Sequence, residues 1–147
     1  MLGSLARKLR VFGFDTAYFR DGPDSELERL AREEGRILLT SDRQLYADAT
    51  ARGLQSFLVK GRSERARMLS IADQAWRLSI RLEPGATRCA LCNGELTSVS
   101  KGDLAGRLPE SVLSRHRLFY ECAGCDKLYW KGRHWSRLRR LSSVMRV

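Results

Sequence analysis

The chain has 147 residues, 43% of them apolar, and carries 27 lysines and arginines against 17 aspartates and glutamates, a net charge of +10. That length suits one ordinary domain or a compact domain with a small satellite, and the apolar content excludes a disordered chain. No apolar run is long enough to cross a bilayer, and the opening MLGSLARKLRVF has neither the charge distribution nor the cleavage pattern of a secretory signal, so a cytoplasmic protein without a membrane partner is expected.

Residues 2–12 read as a helix, with Leu2, Leu5, Ala6 and Leu9 at helical spacing and Gly13 as the stop. Arg7, Lys8 and Arg10 fall off that apolar stripe and are expected on the surface. FDTAYF (14–19) reads as a strand. In DGPDSELERLAREEG, turn residues lead to Asp24 or Ser25 as the cap of a helix through Glu34, with Leu27, Leu30 and Ala31 on its buried side. RILLT (36–40) is a short β-rich run, the pattern of a strand buried on both faces. Residues 43–52 then read as a helix, QSFLV (55–59) as a strand, and 63–78 as a long helix carrying Met68, Ile71, Ala72, Ala75 and Trp76. Strand and helix alternating at this spacing predict parallel βαβ units and a small three-layer α/β sheet with helices on both faces.

LEPGAT (82–87) marks a boundary, giving an α/β domain over 1–81 and a second domain over 82–147. Two CxxC pairs follow it, Cys89 with Cys92 and Cys122 with Cys125, separated by 29 residues. In a cytoplasmic chain this spacing points to two facing knuckles that supply four thiolates, the tetrahedral set of a closed structural zinc site. Redox CxxC chemistry is the competing reading, weakened because neither pair follows a strand and opens a helix. RLFYEC and KLYWKG flank the second pair as a hairpin would. Phe119, Tyr120, Tyr129 and Trp130 there either form the small core of a ribbon or stack on bases.

Residues 1–80 hold 14 basic and 11 acidic residues, whereas 81–147 hold 13 basic and 6 acidic. The excess is concentrated in the C-terminal part, whose tail RHWSRLRRLSSVMRV has Trp135, Leu138 and Leu141 at the spacing of a short basic helix. Lys131, Arg133, His134, Arg137, Arg139 and Arg140, with Arg7, Lys8 and Arg10 from the first helix, are the candidate contacts to a polyanion, nucleic acid first. A solubility surface is the plain alternative, and a structural role is the plain alternative for His134.

The stretch RILLTSDRQL sets an acid and a base just beyond an apolar strand. Ligands of an open parallel sheet bind beyond the carboxyl ends of its strands. Asp42 follows the strand 36–40, and Asp21 and Asp24 follow 14–19, so parallel neighbours would gather their carboxylates at one edge. Oxygen ligands of this kind suit magnesium or manganese, and Arg43 is placed to hold a phosphate oxygen. The competing reading is that Asp42 and Asp24 cap the helices they precede. Asp15, at the start of its strand, points to the other edge and stays outside the site.

Taken in order, MLGSLARKLRVFGFDT, DSELERLA, GRILLTSDRQL, the two CxxC pairs and YWKGRHW resemble the Mut-seven C-terminal ribonuclease family over nearly the whole chain. The resemblance implies a PIN-like fold joined to a zinc ribbon, and a metal-dependent endoribonuclease with Asp24 and Asp42 among its acidic residues. Members usually carry a further apolar strand ending in Asp directly before the segment that here begins MLG. Either that strand lies upstream, or a ligand, and activity with it, has been lost. The alternatives to a nuclease are a catalytically impaired RNA- or ribosome-binding protein of the same fold, and a zinc-stabilised protein-interaction module.

Overall fold

The computed structural model describes residues 2–132, 138 and 140–145. The chain divides into two compact units, one formed by Met1–Ala6, Ala17–Glu83 and Ser143–Val147, the other by Arg7–Thr16 and Pro84–Ser142. Residues 7–16 therefore group with the cysteine-bearing segment, and the end of the chain with the α/β segment, which a cut at 81/82 does not capture.

The first helix, α1 (Gly3–Val11), buries Leu5, Ala6 and Leu9, as its apolar stripe predicts. In the first unit, α2 (Asp24–Glu33), β1 (Leu38–Thr40), α3 (Arg43–Ala51), β2 (Ser56–Leu58) and α4 (Glu64–Arg77) follow in order. β1 and β2 pair in parallel, with Leu38 opposite Ser56 and Thr40 opposite Leu58. Ala31, Leu38, Leu45, Ala49 and Leu54 form a core cluster there, with Leu27 packed against it.

Two expectations change. Residues 14–19 form no strand, so the sheet of this unit has two strands. The Thr16 N–H donates to Asn93 Oδ1 at 3.1 Å and the Thr16 hydroxyl to the Phe14 carbonyl at 3.1 Å, so side chains take polar groups that a neighbouring strand would otherwise take. The cap of α2 is Pro23, in extended conformation, and neither Asp24 nor Ser25; Asp24 is the first helical residue.

The outer side of β2 is closed by a side chain. Gln74 of α4 accepts from the Leu58 N–H at 2.9 Å and donates to the Leu58 carbonyl at 2.9 Å, imitating an adjacent strand. Met68, Ile71, Ala72 and Ala75 of the same helix are buried, as is Met145 of the 3₁₀ turn Ser143–Met145 that packs on it.

The second unit contains β3 (Leu96–Val99), a 3₁₀ turn at Gly102–Leu104, α5 (Glu110–Arg115), β4 (Phe119–Cys122) and β5 (Leu128–Trp130). The three strands form an antiparallel meander in the order β3-β4-β5. The hairpin β4–β5 agrees with the sequence reading. Leu104, Leu113 and Phe119 make the small core over which Val99, Leu108, Val112 and Leu128 pack.

Candidate metal centre and sheet edge

The two CxxC pairs adopt the same turn. In the first, the Cys89 N–H donates to the Gly94 carbonyl at 2.8 Å and the Asn93 N–H to the Cys89 carbonyl at 2.9 Å. In the second, the Cys122 N–H donates to the Lys127 carbonyl at 3.0 Å and the Asp126 N–H to the Cys122 carbonyl at 3.0 Å. The turn needs a left-handed residue after its second cysteine, and Asn93 (φ 70°) and Asp126 (φ 58°) are the non-glycine types that tolerate it.

The two turns bring Cys89, Cys92, Cys122 and Cys125 together with all four sulfurs within 4.8 Å of one another. Cys92 and Cys122 Sγ are 3.3 Å apart, and Cys89 and Cys125 Sγ 3.6 Å. Four thiolates around one tetrahedral zinc at the usual bond length lie about 3.8 Å apart, so the set fits a metal ion such as zinc. The cradle leaves no spare room: a Cβ at Gly94 would lie 2.9 Å from Cys122 Sγ and 3.2 Å from Cys92 Sγ.

The electrostatics favour a cation. Burial pushes the Cys89 thiol up, but hydrogen bonds from the Tyr129 hydroxyl, the Cys92 and Leu91 backbone and Cys125 outweigh it and hold it at about 6. At Cys125 the Lys127 backbone N–H favours the thiolate, yet burial and the three neighbouring sulfurs together raise it to about 12. Four crowded sulfurs resist losing all their protons unless a positive ion shares them.

Two residues outside the CxxC pairs support this centre. Tyr129 Oη lies 3.1 Å from Cys89 Sγ. The Arg10 guanidinium, only 7% exposed, donates from Nη1 to the carbonyls of Ala90 and Leu91 at 2.9 and 2.8 Å and from Nε to Thr16 at 2.8 Å. Arg10 thus holds the first knuckle, in contrast to the surface position expected for an RNA contact. Burial lowers its pKa, while Cys89 and Cys92 raise it. Asn93 adds a bond from Nδ2 to Asp15 Oδ1 at 2.6 Å, and Arg88 Nη2 lies 3.8 Å from Asp15 Oδ2. A basic residue off an apolar stripe gives no sign of this role, because its partners lie about 80 positions away in the chain.

At the sheet edge, Asp42 is exposed and is the N-cap of α3. Its Oδ1 accepts from the Gln44 and Leu45 N–H groups at 2.7 and 3.1 Å, so the capping reading holds for this residue. Oδ2 makes no hydrogen bond among the described residues. Arg43 opens the same helix, exposed. Asp24 is exposed and makes no cap bond. Without a strand at 14–19, the argument that would carry Asp21 and Asp24 to the edge of β1 no longer applies. Among the described residues, the cysteine set is the group of three or more metal-capable side chains that comes together.

Of the expected RNA contacts, Arg7, Lys131 and Arg140 are exposed and Lys8 is half-buried, its pKa lowered by that burial. Arg133, His134, Arg137 and Arg139 lie outside the described residues, as does Trp135. Phe119 is core, Tyr120 and Tyr129 are half-buried, and Trp130 is 38% exposed with its ring 6.3 Å from that of His116.

The family model of the Mut7-C RNAse domain matches residues 1–142. The chain belongs to this family. The match spans both the α/β segment and the four cysteines, so a Mut7-C RNAse domain here includes the metal-capable set. No curated protein and no solved structure matches the chain. No helix among the described residues is long and apolar enough to cross a membrane.

Proposed function

We propose that this chain is a metal-dependent endoribonuclease whose first unit is a PIN-like nuclease domain and whose second is a zinc ribbon that grips RNA. Membership of the Mut7-C RNAse family carries the reading. Cys89, Cys92, Cys122 and Cys125 hold a structural zinc, with no open position for chemistry. Asp42 and Asp24 are the carboxylates for magnesium or manganese, an ion that supplies water activation and charge neutralisation when bound. Magnesium is commonly held by one or two carboxylates with substrate phosphates completing its shell, and the Asp42 Oδ2 that the helix cap leaves over suits that arrangement. Arg43 holds a phosphate oxygen beside it. Arg7, Lys8, Lys131, Arg133, His134, Arg137, Arg139 and Arg140 contact the RNA backbone. A cytoplasmic location accords with this substrate.

A second reading, RNA binding without cleavage, is favoured by one observation: the described carboxylates do not gather into a group of three. Cleavage of labelled RNA in magnesium or manganese separates the two. Asp42→Asn keeps the cap, since Asn and Asp cap about equally, and should leave stability unchanged while cleavage falls by orders of magnitude. Asp42→Ala should additionally cost about 1 kcal/mol of stability. Wild-type protein that binds several RNAs and cuts none with either metal would establish the second reading.

A further inference from the structure

The carboxyl ends of β1 and β2 lie side by side, because the strands are parallel and in register from Leu38/Ser56 to Thr40/Leu58. The Val59 N–H still donates to the Thr40 carbonyl at 2.7 Å, so the two segments leave the sheet together. Two residues beyond the strand ends stand Asp42 on one segment and Lys60 on the other. The second exit reads KGRSER, Lys60 to Arg65, and Lys60, Arg62 and Arg65 are all exposed.

This loop is built, not slack. Gly61 has φ +117°, and a Cβ on it would lie 2.6 Å from the Ala66 Cβ. Its carbonyl accepts from Arg67 Nε at 3.2 Å, the Lys60 N–H donates to Ser70 Oγ at 3.0 Å, and Ser63 Oγ caps α4 through the Ala66 N–H at 3.1 Å. The backbone is held at both ends while the basic side chains project from it.

Charge pairing in this unit is uneven. Arg36, just before β1, pairs with Glu34 at 2.5 Å, and Arg52, just before β2, pairs with Glu28 at 2.8 Å. On the helices, Arg29 pairs with Glu33 at 2.7 Å and Arg77 with Asp73 at 3.0 Å. Beyond the carboxyl ends the pattern reverses: among the described residues none of Arg43, Lys60, Arg62 and Arg65 forms an ion pair. Glu64 is the one acid within the loop sequence, against three bases. On the entry side Arg32 donates to the Arg52 carbonyl at 3.3 Å without an ion pair while Arg36 and Arg52 are paired, whereas at the exit all four cations are unpaired among the described residues, which leaves room there for an outside polyanion.

We propose that Lys60, Arg62 and Arg65, with Arg43 beside them, grip the phosphate backbone of RNA at the sheet edge where Asp42 stands. The inference rests on the ribonuclease reading and adds to it a binding surface in the α/β unit. Its place fixes its role: an RNA held there passes Asp42, whereas one held elsewhere need not.

The test measures binding of a fluorescein-labelled oligouridylate over a series of salt concentrations, without added magnesium or manganese. Two triple variants are compared in the full chain with zinc present. One is Lys60→Gln, Arg62→Gln, Arg65→Gln. The other, Arg29→Gln, Arg77→Gln, Arg81→Gln, removes the same charge from arginines that already have carboxylate partners. The first should bind on the order of tenfold more weakly, with the slope of log affinity against log salt shallower by about 2, as expected for three lost contacts to a single strand. The second should bind nearly as wild type. Unfolding midpoints confirm that both are folded. An unchanged slope in the first variant, or equal losses in both, overturns the proposal and leaves the ribonuclease reading intact, because wild type would still bind. Failure of wild type to bind RNA removes both.

Discussion

Tyr129 sits in KLYWKG, where alternation of apolar and aromatic residues speaks only for a strand. Its hydroxyl nevertheless reaches Cys89 Sγ at 3.1 Å, because β5 carries it opposite Tyr120 and beside the first knuckle. A hydrogen bond to a ligating sulfur stabilises the thiolate, and burial together with that partner raises the phenol above its ordinary pKa of 10.0, so Tyr129 stays a donor at neutral pH. Tyr129→Phe removes the donor and keeps the ring. Zinc affinity, measured by competition with a chromophoric chelator, should fall about 10- to 100-fold, the usual cost of losing an outer-shell partner. Affinity within twofold of wild type would show that the bond contributes nothing. Arg10 shows the same limit of legibility: its residue type was plain, its partners were not. Asp42 was read more fully, since both its capping role and its place at a strand end follow from TSDR.

At the scale of elements, apolar periodicity located α1 to α4 and both parallel strands to within a few residues, because each buries a stripe that its spacing shows. It failed at 14–19, where alternation mimics a strand but no neighbour pairs with it. Within the stretch between the cysteine pairs it also passed over β3 and α5, which bury too little to leave an apolar pattern: no residue of β3 is fully buried, and α5 buries Leu113 alone. The knuckles were legible as spacing, and their shared turn adds a steric requirement that spacing does not show. Gly94 is such a case, since any Cβ meets Cys122 and Cys92 sulfurs. Gly94→Ala must spread the thiolates or shift the turn. Cobalt, substituted for zinc, should then show weakened thiolate charge-transfer absorption, and zinc should exchange faster than in wild type. A spectrum identical to wild type would mean that the turn relaxes freely.

For the molecule as a whole, the two units place the consequences of metal loss. Structural metal binding is coupled to folding, so chelation should release the unit that owns the cysteines. That unit includes residues 7–16, far from the cysteines in sequence. Within it the Arg88 N–H donates to the Arg10 carbonyl at 2.9 Å, the Gly85 N–H to the Gly13 carbonyl at 3.0 Å, and the Thr16 N–H to Asn93 Oδ1 at 3.1 Å. Hydrogen exchange should therefore quicken on chelation at Thr16, Gly85 and Arg88 together with Cys89 and Cys122. The first unit supplies the internal reference, because the Leu38 N–H donates to the Gln55 carbonyl at 2.9 Å and the Val59 N–H to the Thr40 carbonyl at 2.7 Å without any cysteine nearby in sequence. Those two amides should keep their protection, and added zinc should restore the others. Uniform loss of protection across both units would mean that the chain unfolds as one cooperative body. Continued protection at Thr16 after metal removal would show that hydrogen bonding alone, with no help from the metal, holds residues 10–16 on the first knuckle.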